Sequence, residues 1–228
     1  MNKIRLVIGG ARSGKSSLAE QHAKASNLPV TYIATAQAFD DEMQQRIAQH
    51  QADRPEHWRL IESPLLLAKA IASVISESKA CEQGSCILVD CLTLWLSNSL
   101  CKPCAETHNT TDVNLAYWQQ EKQQLLSLLK SLQQQANPES RTIEIILVSN
   151  EVGHGIVPMG ELSRQFVDQA GWLHQALASV ADEVEFVMAG LPLTLKSAEK
   201  SCSQDIQDID TKVDCENING AGHYFRRG

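Results

Sequence analysis

Residues 3–16 read KIRLVIGGARSGKS. The apolar run at 3–8 predicts a buried strand, and the glycines after it predict a tight loop that leads into a helix near residue 15. Residues 9–16 fit the pattern G-x-x-x-x-G-K-[ST]. In that pattern backbone N–H groups bind phosphate oxygens, the lysine neutralises their charge and the hydroxyl ligates Mg²⁺. The stretch therefore predicts a site for a nucleoside triphosphate.

The same pattern assigns individual roles within the loop. The predicted phosphate contacts are Gly9, Gly10, Ala11, Arg12, Ser13, Gly14, Lys15 and Ser16. Lys15 is also a predicted catalytic residue, because its charge faces the phosphoryl group that moves. Ser16 is a predicted Mg²⁺ ligand together with Asp90, which ends an apolar strand as the metal-holding acid of P-loop enzymes does. A helix cap is the ordinary alternative for Asp90.

Short apolar runs alternate with longer amphipathic stretches along the rest of the chain. Strands are predicted at 3–8, 30–35, 58–62, 86–90, 143–149 and 184–189, with an edge strand at 192–196, and helices at 15–26, 40–52, 65–78, 92–100, 112–135 and 161–181. The alternation predicts an α/β fold with five or six strands in a mainly parallel sheet, helices on both faces and right-handed crossovers. A loop or insertion is expected at 101–111.

Composition narrows the class of protein. The 228 residues hold 20 Lys and Arg against 27 Asp and Glu, a net charge of −7, which opposes binding to nucleic acid or to an anionic membrane through bulk charge. Seven cysteines are too few for a disulfide scaffold, and the sequence has neither a signal-peptide pattern nor an apolar run long enough to span a membrane. We expect a cytoplasmic protein with neither nucleic-acid partner nor membrane insertion.

Two parts of the chain are expected to behave differently. Residues 1–197 carry the alternating pattern and are expected to form one P-loop domain. Residues 198–228 hold few large apolar side chains and are expected to form a mobile extension, a tolerated disordered terminus being the simplest interpretation.

Further candidate residues lie outside the phosphate loop. Glu62 and Glu151 follow apolar stretches near the expected carboxyl edge of the sheet, where open α/β folds bind ligands; surface caps are the alternative for both. His50 lies on a predicted helix one turn from Arg46. A neutral imidazole there can attack phosphorus while the arginine stabilises the developing charge. An exposed surface histidine is the alternative.

Three segments together resemble one family. They are GGARSGKS at 9–16, DDEMQQRIAQHQADRPEHW at 40–58 and SNEVGHGIVP at 149–158. In order and spacing they are similar to the bifunctional adenosylcobinamide kinase / adenosylcobinamide-phosphate guanylyltransferase family of cobalamin biosynthesis, over roughly residues 3–196. The resemblance implies a P-loop NTPase fold of the RecA-like kind and assembly as a homotrimer.

The resemblance also implies roles for residues that the spacing alone leaves open. His50 matches the family's guanylylated histidine. The other matched nucleotide contacts are Ala34, Thr35 and Ala36 after the second strand, Gln51, Ala52, Asp53 and Arg54 beside the histidine, and the acids Glu62 and Asp90.

The implied activity consists of two reactions that use Mg²⁺. A γ-phosphoryl group moves from ATP or GTP to adenosylcobinamide, and GMP from GTP then passes through a guanylyl-histidine to adenosylcobinamide phosphate, giving adenosylcobinamide-GDP and pyrophosphate. Two other interpretations remain open: a P-loop kinase of small molecules without guanylyl transfer, and a nucleotide-switched binding protein.

Overall fold

Strands alternate with helices over most of the described chain, as the hydrophobic pattern predicts. The computed structural model describes residues 2–37, 55–102, 110–135 and 142–197. The described strands are β1 (Lys3–Gly9), β2 (Val30–Ala34), β3 (Arg59–Glu62), β4 (Ser85–Asp90), β5 (Ile143–Asn150), β6 (Glu183–Met188) and β7 (Leu191–Lys196). The described helices are α1 (Lys15–Ala25), α2 (Leu67–Ala80), α3 (Leu92–Leu100), α4 (Thr110–Gln134) and α5 (Glu161–Val180).

The strands form one sheet in the order β3-β2-β4-β5-β1-β6-β7. All neighbours are parallel except β6 and β7, which form an antiparallel hairpin. The hairpin turns through Ala189 and Gly190, whose φ angles of 52° and 79° are both positive, as favoured two-residue hairpin turns require. The predicted mainly parallel sheet is confirmed, with seven described strands rather than five or six.

Helices cover both faces of the sheet, which also confirms the prediction. Ala19 and Ala23 of α1 pack in a core cluster on one face, with Val7, Leu88 and Val148 among their partners. The other four described helices pack over the opposite face in the larger core cluster. Right-handed crossovers explain the division, because the chain moves along the sheet in one direction from β1 to β2 and in the other direction after β3.

The larger core is centred on two tryptophans. Trp95 of α3 and Trp118 of α4 are fully buried, with ring centroids 4.7 Å apart in an edge-to-face arrangement. The indole N–H of Trp118 donates to Gln169 on α5 at 2.9 Å. This packing ties three helices together on one face of the sheet.

Some predictions differ from the structure or lie outside it. Helix α4 begins at Thr110, so the end of the loop predicted at 101–111 is helical. The helix predicted at 40–52 and the extension at 198–228 lie outside the described residues. The described residues belong to one compact unit, Met1–Ala198. None of the described helices has the length and apolarity that crossing a bilayer requires.

Candidate active site

The phosphate loop joins the central strand to the first helix. Strand β1 ends at Gly9 and α1 begins at Lys15, with Gly14 as N-cap at a φ of 95°. This left-handed conformation suits glycine, because other residues there suffer a clash of the Cβ atom. Within the described residues no side chain caps α1. The first-turn N–H groups are therefore available to phosphate oxygens.

Two buried polar side chains lie inside the loop. Lys15 is 8% exposed, and its Nζ donates a hydrogen bond to the carbonyl oxygen of Gly10 at 3.2 Å. An ammonium group has three donors, so this bond leaves others for a phosphate. The hydroxyl of Ser13 is buried and has no hydrogen-bond partner among the described residues. An unpaired buried hydroxyl costs about 1–3 kcal/mol, and a phosphate oxygen would satisfy it.

Close packing explains why residue 9 is glycine. A Cβ atom there would lie 2.5 Å from the backbone oxygen of Val187 and 2.6 Å from Ser13 Oγ, whereas one at Gly10 would meet nothing within 4 Å. We expect Gly9→Ala to lower the free energy of unfolding by about 1–3 kcal/mol, the usual cost of overpacking. Gly10→Ala is the matched control. Urea unfolding of both variants tests this, and equal midpoints would contradict it.

Neighbouring loops fasten the phosphate loop through backbone hydrogen bonds. The N–H of Glu151, the residue after β5, donates to the oxygen of Gly9 at 2.9 Å. The N–H of Gly190, in the β6–β7 turn, donates to the oxygen of Ser13 at 2.8 Å. The loop is thus held from both sides by strands adjacent to β1.

Thr35 holds the end of β4 against the end of β2. Its hydroxyl donates to the oxygen of Cys91 at 2.6 Å and accepts from the N–H of Cys91 at 2.9 Å. Cys91 is the residue that follows Asp90. The backbone N–H of Thr35 donates to the oxygen of Asp90 at 3.3 Å. Thr35 is fully buried, and its side chain fixes the backbone of Cys91, directly after Asp90.

The polar network continues toward β1 through side chains that sequence analysis missed. Asn150, at the end of β5, donates from Nδ2 to Thr93 Oγ1 at 3.0 Å, and Thr93 lies 3.2 Å from the sulfur of Cys91. Burial raises the pKa of Cys91 to about 11, so its thiol is protonated at neutral pH. These neutral groups link the ends of β4 and β5.

A magnesium ion fits the donor set at this edge. Ser16 supplies a half-buried hydroxyl at the start of α1, and Asp90 supplies a half-buried carboxylate at the end of β4. Both are the hard oxygen ligands that Mg²⁺ prefers. The described residues hold no cluster of three or more His, Cys, Asp or Glu that could bind a metal. Mg²⁺ usually relies on one or two carboxylates plus phosphates, so the donor set suits a nucleotide-bound ion.

A second polar group lies under the loop that follows β5. Ser149 Oγ and His174 Nε2 are 2.7 Å apart, and His174 Nδ1 lies 3.5 Å from Glu151 Oε2. Ser149 is fully buried and His174 is 8% exposed. Burial lowers the pKa of His174, and the nearby Glu151 carboxylate opposes this shift. The group connects α5 to the carboxyl edge of the sheet beside the phosphate loop.

Comparison with known proteins identifies the family. A family model described as cobinamide kinase / cobinamide phosphate guanyltransferase matches residues 5–195. The chain belongs to this family. The resemblance seen in the sequence is therefore confirmed, and the phosphate loop, the Thr35 network and the Glu151 loop all lie within the matched residues.

Two relatives named as bifunctional adenosylcobalamin biosynthesis proteins are similar over almost their whole length. CobP of Pseudomonas aeruginosa is 51% identical over 191 residues, covering 84% of this chain and 96% of that protein. CobU of Escherichia coli is 38% identical over 191 residues, covering 84% of this chain and 98% of that protein. The chain is thus a member of a family of bifunctional transferases of cobalamin biosynthesis.

Solved structures confirm the fold. A prototypical ATPase from the type III secretion system of pathogenic bacteria superposes with a TM-score of 0.51 at 10% identity, over 84% of this chain and 56% of that chain. At this identity the similarity concerns the fold alone. It agrees with the P-loop α/β fold predicted for this cobinamide kinase / guanyltransferase family member.

The predicted site residues fall into three groups. The phosphate loop, Asp90, Ala34, Thr35 and Ala36 lie at the carboxyl edges of β1, β4 and β2. Glu62 ends β3, which stands four strand positions from β1, roughly 19 Å at the usual strand spacing. His50, Gln51, Ala52, Asp53 and Arg54 lie outside the described residues. The structure therefore separates Glu62 from the phosphate loop.

Proposed function

We propose that this chain phosphorylates adenosylcobinamide and then transfers GMP from GTP to adenosylcobinamide phosphate, giving adenosylcobinamide-GDP and pyrophosphate. The family match over residues 5–195 carries the proposal. The phosphate loop supports it, because a buried lysine and an uncapped helix start together form a site for triphosphate.

In the kinase reaction, the proposed role of the phosphate loop is to hold ATP or GTP by its β- and γ-phosphates. Lys15 neutralises charge that develops as the γ-phosphoryl group moves, and the backbone N–H groups of the loop fix its orientation. Ser16 and Asp90 would hold Mg²⁺, which supplies further charge neutralisation on the phosphates when bound. Thr35 supports Asp90 by fixing the backbone that directly follows it.

In the guanylyl transfer, the proposed nucleophile is His50. Its imidazole attacks the α-phosphorus of GTP and expels pyrophosphate, and the N–P bond then breaks when adenosylcobinamide phosphate takes the GMP group. Additional nucleotide contacts are proposed at Ala34, Thr35, Ala36, Gln51, Ala52, Asp53, Arg54, Glu62 and Asp90. Because β3 stands four strand positions from β1, Glu62 lies away from the phosphate loop. We therefore assign it to the end of the site that binds the nucleoside or the guanylyl group.

The chain is also proposed to assemble as a homo-oligomer, a trimer by the family resemblance. Strand β7 lies at one edge of the described sheet, and all its residues are exposed, including Leu191, Leu193 and Leu195. An exposed apolar edge strand normally needs cover, and a second copy of this chain is the proposed cover. Sedimentation equilibrium of the full chain measures the assembly state directly.

The proposed location is the cytoplasm, where ATP and GTP are available. The described cysteines, Cys81, Cys86, Cys91 and Cys101, carry free thiols, which is typical of proteins from a reducing compartment.

The experiment that tests the function is a product analysis of the full chain. With adenosylcobinamide, Mg²⁺, ATP and GTP, we expect adenosylcobinamide-GDP and pyrophosphate, identified by liquid chromatography and mass spectrometry. With ATP as the only nucleotide we expect the reaction to stop at adenosylcobinamide phosphate. A kinase without transferase activity would stop there under both conditions. A nucleotide-switched binding protein would give neither product and would contradict the proposal.

A further inference from the structure

Ser149, His174 and Glu151 form a polar group beside the phosphate loop, and this position suggests a role in the reaction. Glu151 follows β5 directly, and its N–H donates to Gly9, the first residue of the phosphate loop. Its side chain is 21% exposed, and its Oε2 lies 3.5 Å from His174 Nδ1. The carboxylate of Glu151, beside the proposed triphosphate site, is thus in contact with the buried side chain of His174.

The two reactions of the proposed function differ in their need for a base. The kinase acceptor is a hydroxyl group, whose proton must leave as the oxygen attacks the γ-phosphorus. The acceptor of GMP is a phosphate group, which is mostly the dianion at neutral pH and attacks through an oxygen that is already charged. A residue that accepts the hydroxyl proton is therefore required by one reaction and not by the other.

We propose that Glu151 is the general base of the kinase reaction and that His174, held by Ser149, is the positioning residue that fixes its carboxylate. The inference rests on the proposed function and adds a residue role to it. As the acceptor oxygen bonds to the γ-phosphorus, Glu151 takes the hydroxyl proton. The bond from the γ-phosphorus to the β,γ-bridging oxygen breaks, and its electron pair leaves with the nucleoside diphosphate. Glu151 then returns the proton to solvent.

Position along the sheet favours Glu151 over the other two candidate acids. Glu62 stands four strand positions from β1, roughly 19 Å away, which is too far to reach a γ-phosphate on the loop. Asp90 stands two strand positions away and fits the metal. Glu151 follows the strand that pairs directly with β1.

The hydrogen-bond directions in the group follow from its chemistry. The Glu151 carboxylate only accepts, so His174 Nδ1 must carry a proton to bond with it. Because burial lowers its pKa, the imidazole is neutral, and Nε2 is then an acceptor for the hydroxyl of Ser149. Ser149 thereby selects the tautomer that donates to Glu151.

The loop that carries Glu151 is fastened at both ends. Glu151 Oε1 accepts the N–H of Gly153, and Arg164 of α5 donates to the backbone oxygens of Pro158 and Met159. Helix α5 therefore holds the start of the loop through His174 and its end through Arg164. A base on such a loop keeps a fixed position relative to the phosphate loop.

Two substitutions of His174 separate positioning from simple packing. Asn Nδ2 stands as many bonds from Cβ as His Nδ1, so His174→Asn keeps a donor toward Glu151. Gln Nε2 stands as many bonds from Cβ as His Nε2, so His174→Gln keeps only the contact with Ser149. Both variants are polar and smaller than histidine, so a purely structural role predicts similar effects for the two.

The experiment measures both reactions separately in the full chain, with adenosylcobinamide and ATP for the kinase and adenosylcobinamide phosphate and GTP for the transferase. We expect Glu151→Gln to lower the kinase kcat by about 100-fold or more, with the KM for ATP and the guanylyl transfer rate within about twofold of the original chain. We expect His174→Gln to lower the kinase kcat by about 10-fold, and His174→Asn to restore most of it.

Matched controls are Asp168→Asn and Gln175→Ala, which change exposed side chains of the same helix α5. Melting temperatures of all variants show whether each one folds. Equal loss of both reactions in Glu151→Gln, or no loss in either, would overturn the inference, as would equal kinase rates in the two folded His174 variants. Absence of kinase activity in the original chain would instead overturn the proposed function itself.

Discussion

Replacing His50 with alanine is expected to abolish covalent labelling of the protein by GTP carrying a radioactive α-phosphate. The original chain, incubated with Mg²⁺ and this GTP and then denatured, should retain acid-labile label, because in the proposed intermediate the guanylyl group is bonded to imidazole nitrogen. The rate of guanylyl transfer should fall by about 10⁴-fold or more, the scale on which loss of a nucleophile acts. Phosphorylation of adenosylcobinamide should continue.

His57→Ala is the matched control for this variant, since His57 is a nearby exposed histidine. It should retain the label in full. Label that persists in His50→Ala would show that His50 is not the nucleophile. Label that comes from the γ-phosphate of GTP would show that the protein is phosphorylated and not guanylylated. A folded chain that binds GTP and retains no label would leave only the kinase reaction.

Replacing Lys15 with alanine is expected to lower both reactions. Lys15 is buried in the phosphate loop, where its charge acts on the phosphates with little screening by water. In the two proposed reactions, the moving γ-phosphoryl group and the leaving pyrophosphate both develop negative charge beside Lys15. We expect kcat/KM of each reaction to fall by about 10²–10³-fold, the usual cost of removing one preorganised donor.

Lys69→Ala, which changes an exposed lysine of α2, is the control for loss of one positive charge. It should leave both reactions within about twofold of the original chain. A Lys15→Ala protein that remains folded and loses only one of its reactions would show that the two reactions use separate triphosphate sites. Loss of both reactions in Lys15→Ala would indicate one triphosphate site shared by the two reactions. Loss of guanylyl transfer alone in His50→Ala would indicate a nucleophile that only this reaction uses.

The parts of the fold that could be predicted are those determined by neighbouring residues. The phosphate loop is one contiguous stretch, and its strand and helix were predicted within one or two residues of β1 and α1. The mainly parallel sheet could be predicted because short apolar runs alternate with amphipathic stretches along the chain. Strand β7 was expected only as an edge strand, and its hairpin depends on Ala189 with a φ of 52°, a conformation that alanine seldom adopts.

The polar networks behind the site could not be predicted, because their partners are distant in the chain. Thr35 and Cys91 are 56 positions apart, and Ser149 and His174 are 25 apart. Periodicity shows which face of an element is buried but not which buried polar groups meet. One signal was present for His174: it lies between Leu173 and Leu177 on the buried face of α5, where an unpaired imidazole would be costly.

The place of β1 in the sheet has a consequence for how the protein is made. The phosphate-loop sequence is synthesised before both strands that flank β1, since β1 pairs with residues 144–150 on one side and 183–187 on the other. At about 5–20 residues per second, many seconds pass before these strands are synthesised. The nascent chain therefore carries its nucleotide-binding sequence long before it has a nucleotide-binding site. An incomplete chain released before residue 183 would lack β6, one of the two strands that pair with β1.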